Sequence, residues 1–250
     1  MSRTTYHHGD LANALVDAGV GLARTGGPEA VVLREAARRA GVSATAAYRH
    51  FSGQQDLLEH VKQRALAMLA ARITAALDAV PPAADPGETA VARLVAAGWA
   101  YTDFARTEPG CFATAFRRTT AEPAGPLEGA GGDPAGGPGE GSAANSGDGS
   151  GGSSEASSGK DDGLDDDGDG VRDDAAFSLL GGIVDELVAA GRMPEETRPD
   201  AEYAAWAAVH GVSVLLLDGP LRHLDTKAQE AVIDRTIRLV VDGLAGPGLR

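Results

Sequence analysis

Residues 33–58 read LREAARRAGVSATAAYRHFSGQQDLL, two short helical patterns that meet at Gly41-Val42-Ser43, the second stopped at Ser52-Gly53. Two helices joined by a tight glycine-containing turn are a standard means of holding a side-chain-bearing helix against a DNA major groove. Leu33, Ala36, Ala37 and Ala40 fall at i, i+3, i+4 and i+7, so the first helix has one apolar stripe and turns Arg34, Glu35, Arg38 and Arg39 outward. Gly41 follows the last periodic residue, where a left-handed residue closes a helix, and Ser43 suits the N-cap of the next one. That second helix is predicted over 44–51, with Ala47 and Phe51 inward at i and i+4, Thr45, Ala46 and Arg49 outward, and Tyr48 at the edge. The outward face is the one that would read bases.

Upstream, residues 10–24 place Leu11, Leu15, Ala18 and Leu22 on one stripe, and Gly26-Gly27-Pro28 breaks it. Three helices around a small core are the least that holds a reading helix still. Downstream the pattern is helical throughout: 54–80, ended by Pro81-Pro82; 89–107, apolar around much of its circumference; a short 109–118; then 174–190, 199–217 and 226–244. In the last of these, Ile233, Ile237, Val240 and Leu244 form a seam at i, i+4, i+7 and i+11. The expected fold is all-α: an N-terminal helix-turn-helix domain over 1–55, and a helical domain over 56–250 in which two helices from each of two protomers would form a four-helix bundle.

Between the helical runs, 121–176 is Gly, Ser, Pro, Ala and Asp with no aromatic side chain and almost no branched aliphatics, too little apolar surface to offset the entropy of ordering. Residues 122–172 are therefore predicted to be a disordered acidic loop, an insertion whose closure entropy grows only logarithmically with length. The loop also explains the charge. Of the net −14, residues 121–176 hold −12, from fourteen acidic and two basic side chains, whereas residues 1–64 hold +2 and four of the six histidines. The acidity is local and says little about affinity for DNA, although an acidic tract of this kind could compete with DNA for the basic head. Gly147, Gly149 and Gly152 have the spacing of a dinucleotide loop but no strand precedes them. Asp165 to Asp173 sets oxygens at positions 1, 3, 5 and 9 of a calcium loop, yet position 12 is Ala176, so this reads as acidic filler.

Tyr6-His7-His8-Gly9-Asp10-Leu11, Arg39-Ala40-Gly41-Val42-Ser43 and Ala47-Tyr48-Arg49-His50-Phe51 together resemble the DNA-binding domain of the TetR family of bacterial transcriptional regulators, over about residues 6–64. Trp206-Ala207-Ala208-Val209-His210-Gly211 is similar to the Trp-His-Gly signature of one subgroup of that family's C-terminal domains. The resemblance implies a homodimer on double-stranded operator DNA. It implies base contacts from Ala44, Thr45 and Ala46, phosphate contacts from Tyr48 and His50, and a guanine contact from Arg34. Ser43, Arg49 and Gln54 complete the expected DNA-binding set. A guanidinium fork suits guanine O6 and N7, methyl groups suit the thymine methyl, and phenol and imidazole donors suit phosphate oxygens. Two departures stand out: Val31-Val32 where members carry Ser or Thr, and Gln54 where they usually carry Lys. Each removes a cap or a phosphate contact, so the salt dependence of binding should be shallower than in relatives that keep the lysine.

A small-molecule effector is expected in the second domain, where Trp99, Tyr101, Phe104, Phe112, Phe116, Phe177, Trp206 and His210 supply apolar and a few polar groups, though aromatic residues at helical spacing are more often core. His210 is open to two roles, a hydrogen bond to an effector or a contact between helices. The single Cys111 rules out an internal disulfide and, with no hydrophobic leader or long apolar run, points to a cytoplasmic protein with no membrane partner. Phosphate-binding loop, nucleophile elbow, metal-spaced His pair and paired Cys are all missing, so no catalytic residue, metal or cofactor is expected. The expected function is a one-component regulator, most simply a repressor released by its effector; the alternative is a helical small-molecule-binding or scaffold protein with weakened operator specificity.

Overall fold

Gly41 adopts φ +72°, the left-handed backbone that lets the chain turn sharply between the two helices read from the sequence. The computed structural model describes residues 8–117 and 175–246, and these belong to one compact unit. The glycine-spaced and calcium-like motifs of the acidic tract lie outside the described residues, as does the expected loop over 122–172.

Helix α1 (His8–Gly26) buries Leu15, Val16, Val20, Leu22 and Ala23, and ends at Gly27, φ +66°, followed by a 3-10 turn over Pro28–Ala30. Helix α2 (Leu33–Arg39) buries Leu33, Ala36 and Ala37, the predicted stripe. Its N-cap is Val32, which has the extended backbone of a cap but no side-chain oxygen to supply one. Helix α3 is regular α only over Ala44–Ala47, shorter than the predicted 44–51. Beyond Ala47 the chain tightens: the amides of Arg49 and His50 donate to the carbonyls three residues back, so the last turn is 3-10 in character.

Helix α4 (Gln54–Asp78) leaves the head and runs into the body, packing on α1. Helix α5 (Pro86–Thr107) starts three residues before its predicted position because Asp85 caps it, accepting from the Gly87 amide at 2.8 Å, with Pro86 in the first turn. Helix α6 (Pro109–Ala115) is short; α7 (Ala175–Ala189), α8 (Ala201–Leu217) and α9 (Thr226–Ala245) complete the described residues. As its all-round apolar pattern predicts, α5 is central and touches α4, α6, α7, α8 and α9. On α9 the buried stripe is Ile233, Ile237 and Val241, with Val240 left partly exposed.

Candidate functional site

Two features of the described residues have the makings of a site: the outward face of the head, and an apolar cleft in the body.

On the head, Ala47 and Phe51 are fully buried and fasten the turn that carries the reading face. Burying a side chain such as Phe51 contributes about 1.5–3 kcal/mol. Ser43 accepts a hydrogen bond from the Ala46 amide at 3.1 Å, the expected cap. With the inner side anchored, Thr45, Tyr48 and Arg49 are exposed, Ala44, Ala46 and His50 half-buried. Tyr48 stands 50% exposed, one of the few large rings left in solvent. Across the turn, Arg34 is exposed, while Arg38 is held by Glu35 at 2.7 Å and Arg39 by the same carboxylate at 3.4 Å. Among the described residues neither Arg34 nor Arg49 forms an ion pair, so both guanidinium groups remain available to a phosphate or a guanine edge. Gln54 is exposed at the start of α4. Beside it Asp56, not foreseen from the sequence, accepts from the Ser52 amide at 2.8 Å and from its hydroxyl at 3.1 Å, fixing the bend into α4. Those bonds, the amide's first, hold the Asp56 carboxyl below the usual range.

In the body, α4, α5, α7, α8 and α9 surround a half-open cleft with about 530 Å³ of empty space, its open mouth included. Ala97, Gly98, Ala176 and Ala205 leave the room; Ile73, Leu94, Leu180, Val209, Ile237 and Val240 form the walls; Tyr101 and Trp206 supply the aromatic faces. Of the aromatic and histidine positions expected to meet an effector, Tyr101 and Trp206 line this cleft. His210 sits behind it, stacked on Trp206 at 4.9 Å, with its Nδ1 2.8 Å from the Tyr101 hydroxyl, a helix-to-helix contact. Phe112 and Phe116 enclose His210 from α6, at 5.5 and 4.8 Å between ring centroids. Burial lowers the His210 pKa and keeps the imidazole neutral near pH 7. Phe104 is core, with the Arg72 guanidinium 6.0 Å from its ring; Phe177 packs on Tyr203 at 4.7 Å; Trp99 is partly buried against the core. Cys111 is fully buried, and desolvation pushes its thiol pKa up to about 11, as suits a packing residue.

Head and body meet where α6 abuts α1. A Cβ on Gly110 would run into the Ala23 carbonyl oxygen, with the Ala23 carbonyl carbon and the Arg24 carbonyl oxygen each 3.0 Å away. Arg24 donates to Glu108 at 2.9 Å and Arg117 pairs with Glu29 at 3.0 Å, on either side of that contact.

A small helical head with an outward reading turn, joined to a helical body with an apolar cleft, defines the helix-turn-helix regulator class of all-α proteins. Residues 15–61 match the family model for bacterial regulatory proteins of the tetR family, and residues 157–240 match that for the tetracyclin repressor-like C-terminal domain. The chain belongs to the tetR family of bacterial regulatory proteins. No curated protein matches it in sequence. Among solved structures, a protein of unknown function from Rhodococcus sp. RHA1 is 22% identical with a TM-score of 0.64, the match covering 97% of this chain and 100% of that one. A candidate tetR family transcription regulator from Shewanella sp. PV-4 is 15% identical with a TM-score of 0.55, covering 96% and 99%. These likenesses show a shared fold. Among the described residues no helix is long and apolar enough to cross a membrane.

Proposed function

We propose that the chain is a one-component repressor: a homodimer whose two heads grip a palindromic operator and release it when a small molecule fills the cleft. The carrying observation is the segment of residues 43–51, buried at Ala47 and Phe51 and exposed at Thr45, Tyr48 and Arg49, with Arg34 uncommitted beside it. Thr45 and the alanine methyls would meet base edges, Arg34 a guanine, and Tyr48, Arg49, His50, Ser43 and Gln54 the backbone. Exposure of Val214, Leu215 and Leu239 on α8 and α9 supports pairing with a second copy, since apolar residues of this size favour cover. Twin reading turns would then address half-sites about 34–36 Å apart.

Release requires that the effector bind the operator-free arrangement better than the bound one. Tyr101 lines the cleft and packs on Phe112 of α6 at 5.8 Å; two residues earlier in the same turn of α6, Gly110 presses on the last turn of α1. A ligand that displaces Tyr101 therefore has a rigid path of packed groups to the head.

Selection of bound duplexes from a random pool, followed by anisotropy titrations at several salt concentrations, tests the reading. The expected result is a two-fold symmetric consensus bound with a steep dependence on salt. Equal, weak binding to every duplex would favour the alternative, a helical binding or scaffold protein without operator specificity.

A further inference from the structure

The chemistry of the cleft wall restricts what can occupy it. Ten of its twelve lining residues are aliphatic or glycine, and the other two are Tyr101 and Trp206. Among the described residues no charged side chain lines the space, and those next in sequence to the walls are held in ion pairs: Arg72 with Asp103 at 2.9 Å, Arg93 with Glu186 at 2.9 Å, its buried Nε making no hydrogen bond, and Arg238 with Asp234 at 2.7 Å. The Tyr101 hydroxyl is bonded to His210, itself neutral and boxed in by Trp206, Phe112 and Phe116. A ligand that carried a formal charge into this space would lose its hydration and find no counter-ion, whereas an apolar one would release water from both surfaces. Small residues at Ala97, Gly98, Ala176 and Ala205 open the cleft between α5, α7 and α8.

We infer that the effector is an uncharged, predominantly apolar small molecule, an alkyl chain or single aromatic ring with at most a neutral polar end. The inference rests on the cleft being the effector site of the regulator proposed above.

Three probes with one chain and different heads decide it: 1-octanol, octanoate and octylamine, at pH 7 and below micelle formation. Binding is read from Trp206 emission in a Trp99→Phe chain and from the thermal midpoint. Octanol is expected to bind about tenfold or more tightly than either charged partner, since each charge must shed its hydration. Val240→Phe, at the partly exposed wall, is expected to abolish octanol binding, and Ala97→Leu serves as a second blocking variant if the first fails to fold. Equal affinity for the three probes, no binding of octanol up to its solubility limit, or octanol binding unaffected by either folded blocking variant would each overturn the inference. Operator affinity, titrated separately with and without octanol, isolates the underlying reading: selective binding that leaves the operator complex intact upholds the ligand class and refutes release through this cleft.

Discussion

Gly110 lies in the first turn of helix α6, and replacing a helical glycine with alanine ordinarily stabilises a protein, by up to about 1 kcal/mol. Here the opposite sign is expected. The new methyl group would overlap the Ala23 carbonyl oxygen and sit 3.0 Å from two further backbone atoms, and backbone cannot rotate out of the way as a side chain does. To reach ordinary contact α1 and α6 must part by about 1 Å or more, an overpacking that costs about 1–3 kcal/mol. Against the helix-propensity gain the net is about 1–2 kcal/mol of destabilisation, a fall in thermal midpoint of roughly 2–8 °C for a domain of this size. Operator affinity should fall with it, because the displaced element is the one on which α2 and α4 are packed. Gly182→Ala supplies the control: it is also helical, nothing lies within 4 Å of its would-be Cβ, and stability should hold or rise. Circular-dichroism melts and operator anisotropy on both variants measure the effect. A Gly110→Ala chain as stable as the parent, with unchanged operator affinity, would refute the claim that this contact ties body to head.

Other expectations concern the head. Tyr48→Phe removes only a hydroxyl from a half-exposed ring and should weaken binding to all operators alike, whereas Thr45→Ala should alter preference at one base step; competitive anisotropy against a panel of single-base operator variants separates the two. Val32→Thr places a capping oxygen where the backbone is already extended, and chemical denaturation should show a gain of about 0.5–2 kcal/mol. Asp56, whose carboxyl is held low chiefly by the Ser52 amide, contributes stability that is complete above the unfolded aspartate value and lost as pH falls through the lower folded one. Asp56→Asn should therefore destabilise the protein at pH 7 and narrow the gap to the parent in acid, as followed by urea denaturation from pH 7 to 3.

The head was legible because each of its signals is local. A stripe at Leu33, Ala36 and Ala37, a glycine that can turn left-handed and a serine that can cap sit within eleven residues, and all three take the conformations their chemistry favours. The extent of α3 was less so: whether residues 48–50 continue as α or tighten to 3-10 turns on a few tenths of an ångström in hydrogen bonds that no residue type dictates. The Arg24–Glu108 pair joins residues 84 apart in the chain, and the Gly110 contact spans a similar distance, so neither leaves a mark in any window of periodicity.

The cleft was hidden for a different reason. Aromatic residues draw attention in a sequence as candidate ligand contacts, yet a large ring in a helical body usually fills space instead of leaving it. Phe104 and Phe112 do so here, buried among α4, α5 and α6. Empty volume arises where facing helices present small residues at one level, and Ala97, Gly98, Ala176 and Ala205 are unremarkable in a chain so rich in alanine and glycine. What distinguishes them is that α5, α7 and α8 bring them opposite one another, which is a property of tertiary packing. Gly98 makes the point most sharply. A Cβ there would lie 3.0 Å from Ile237 of α9, so the residue that widens the cleft also lets α9 close against α5. Side-chain volume lost on the inner face of α5 is thus what makes room for a ligand and brings the outermost helix in to wall it.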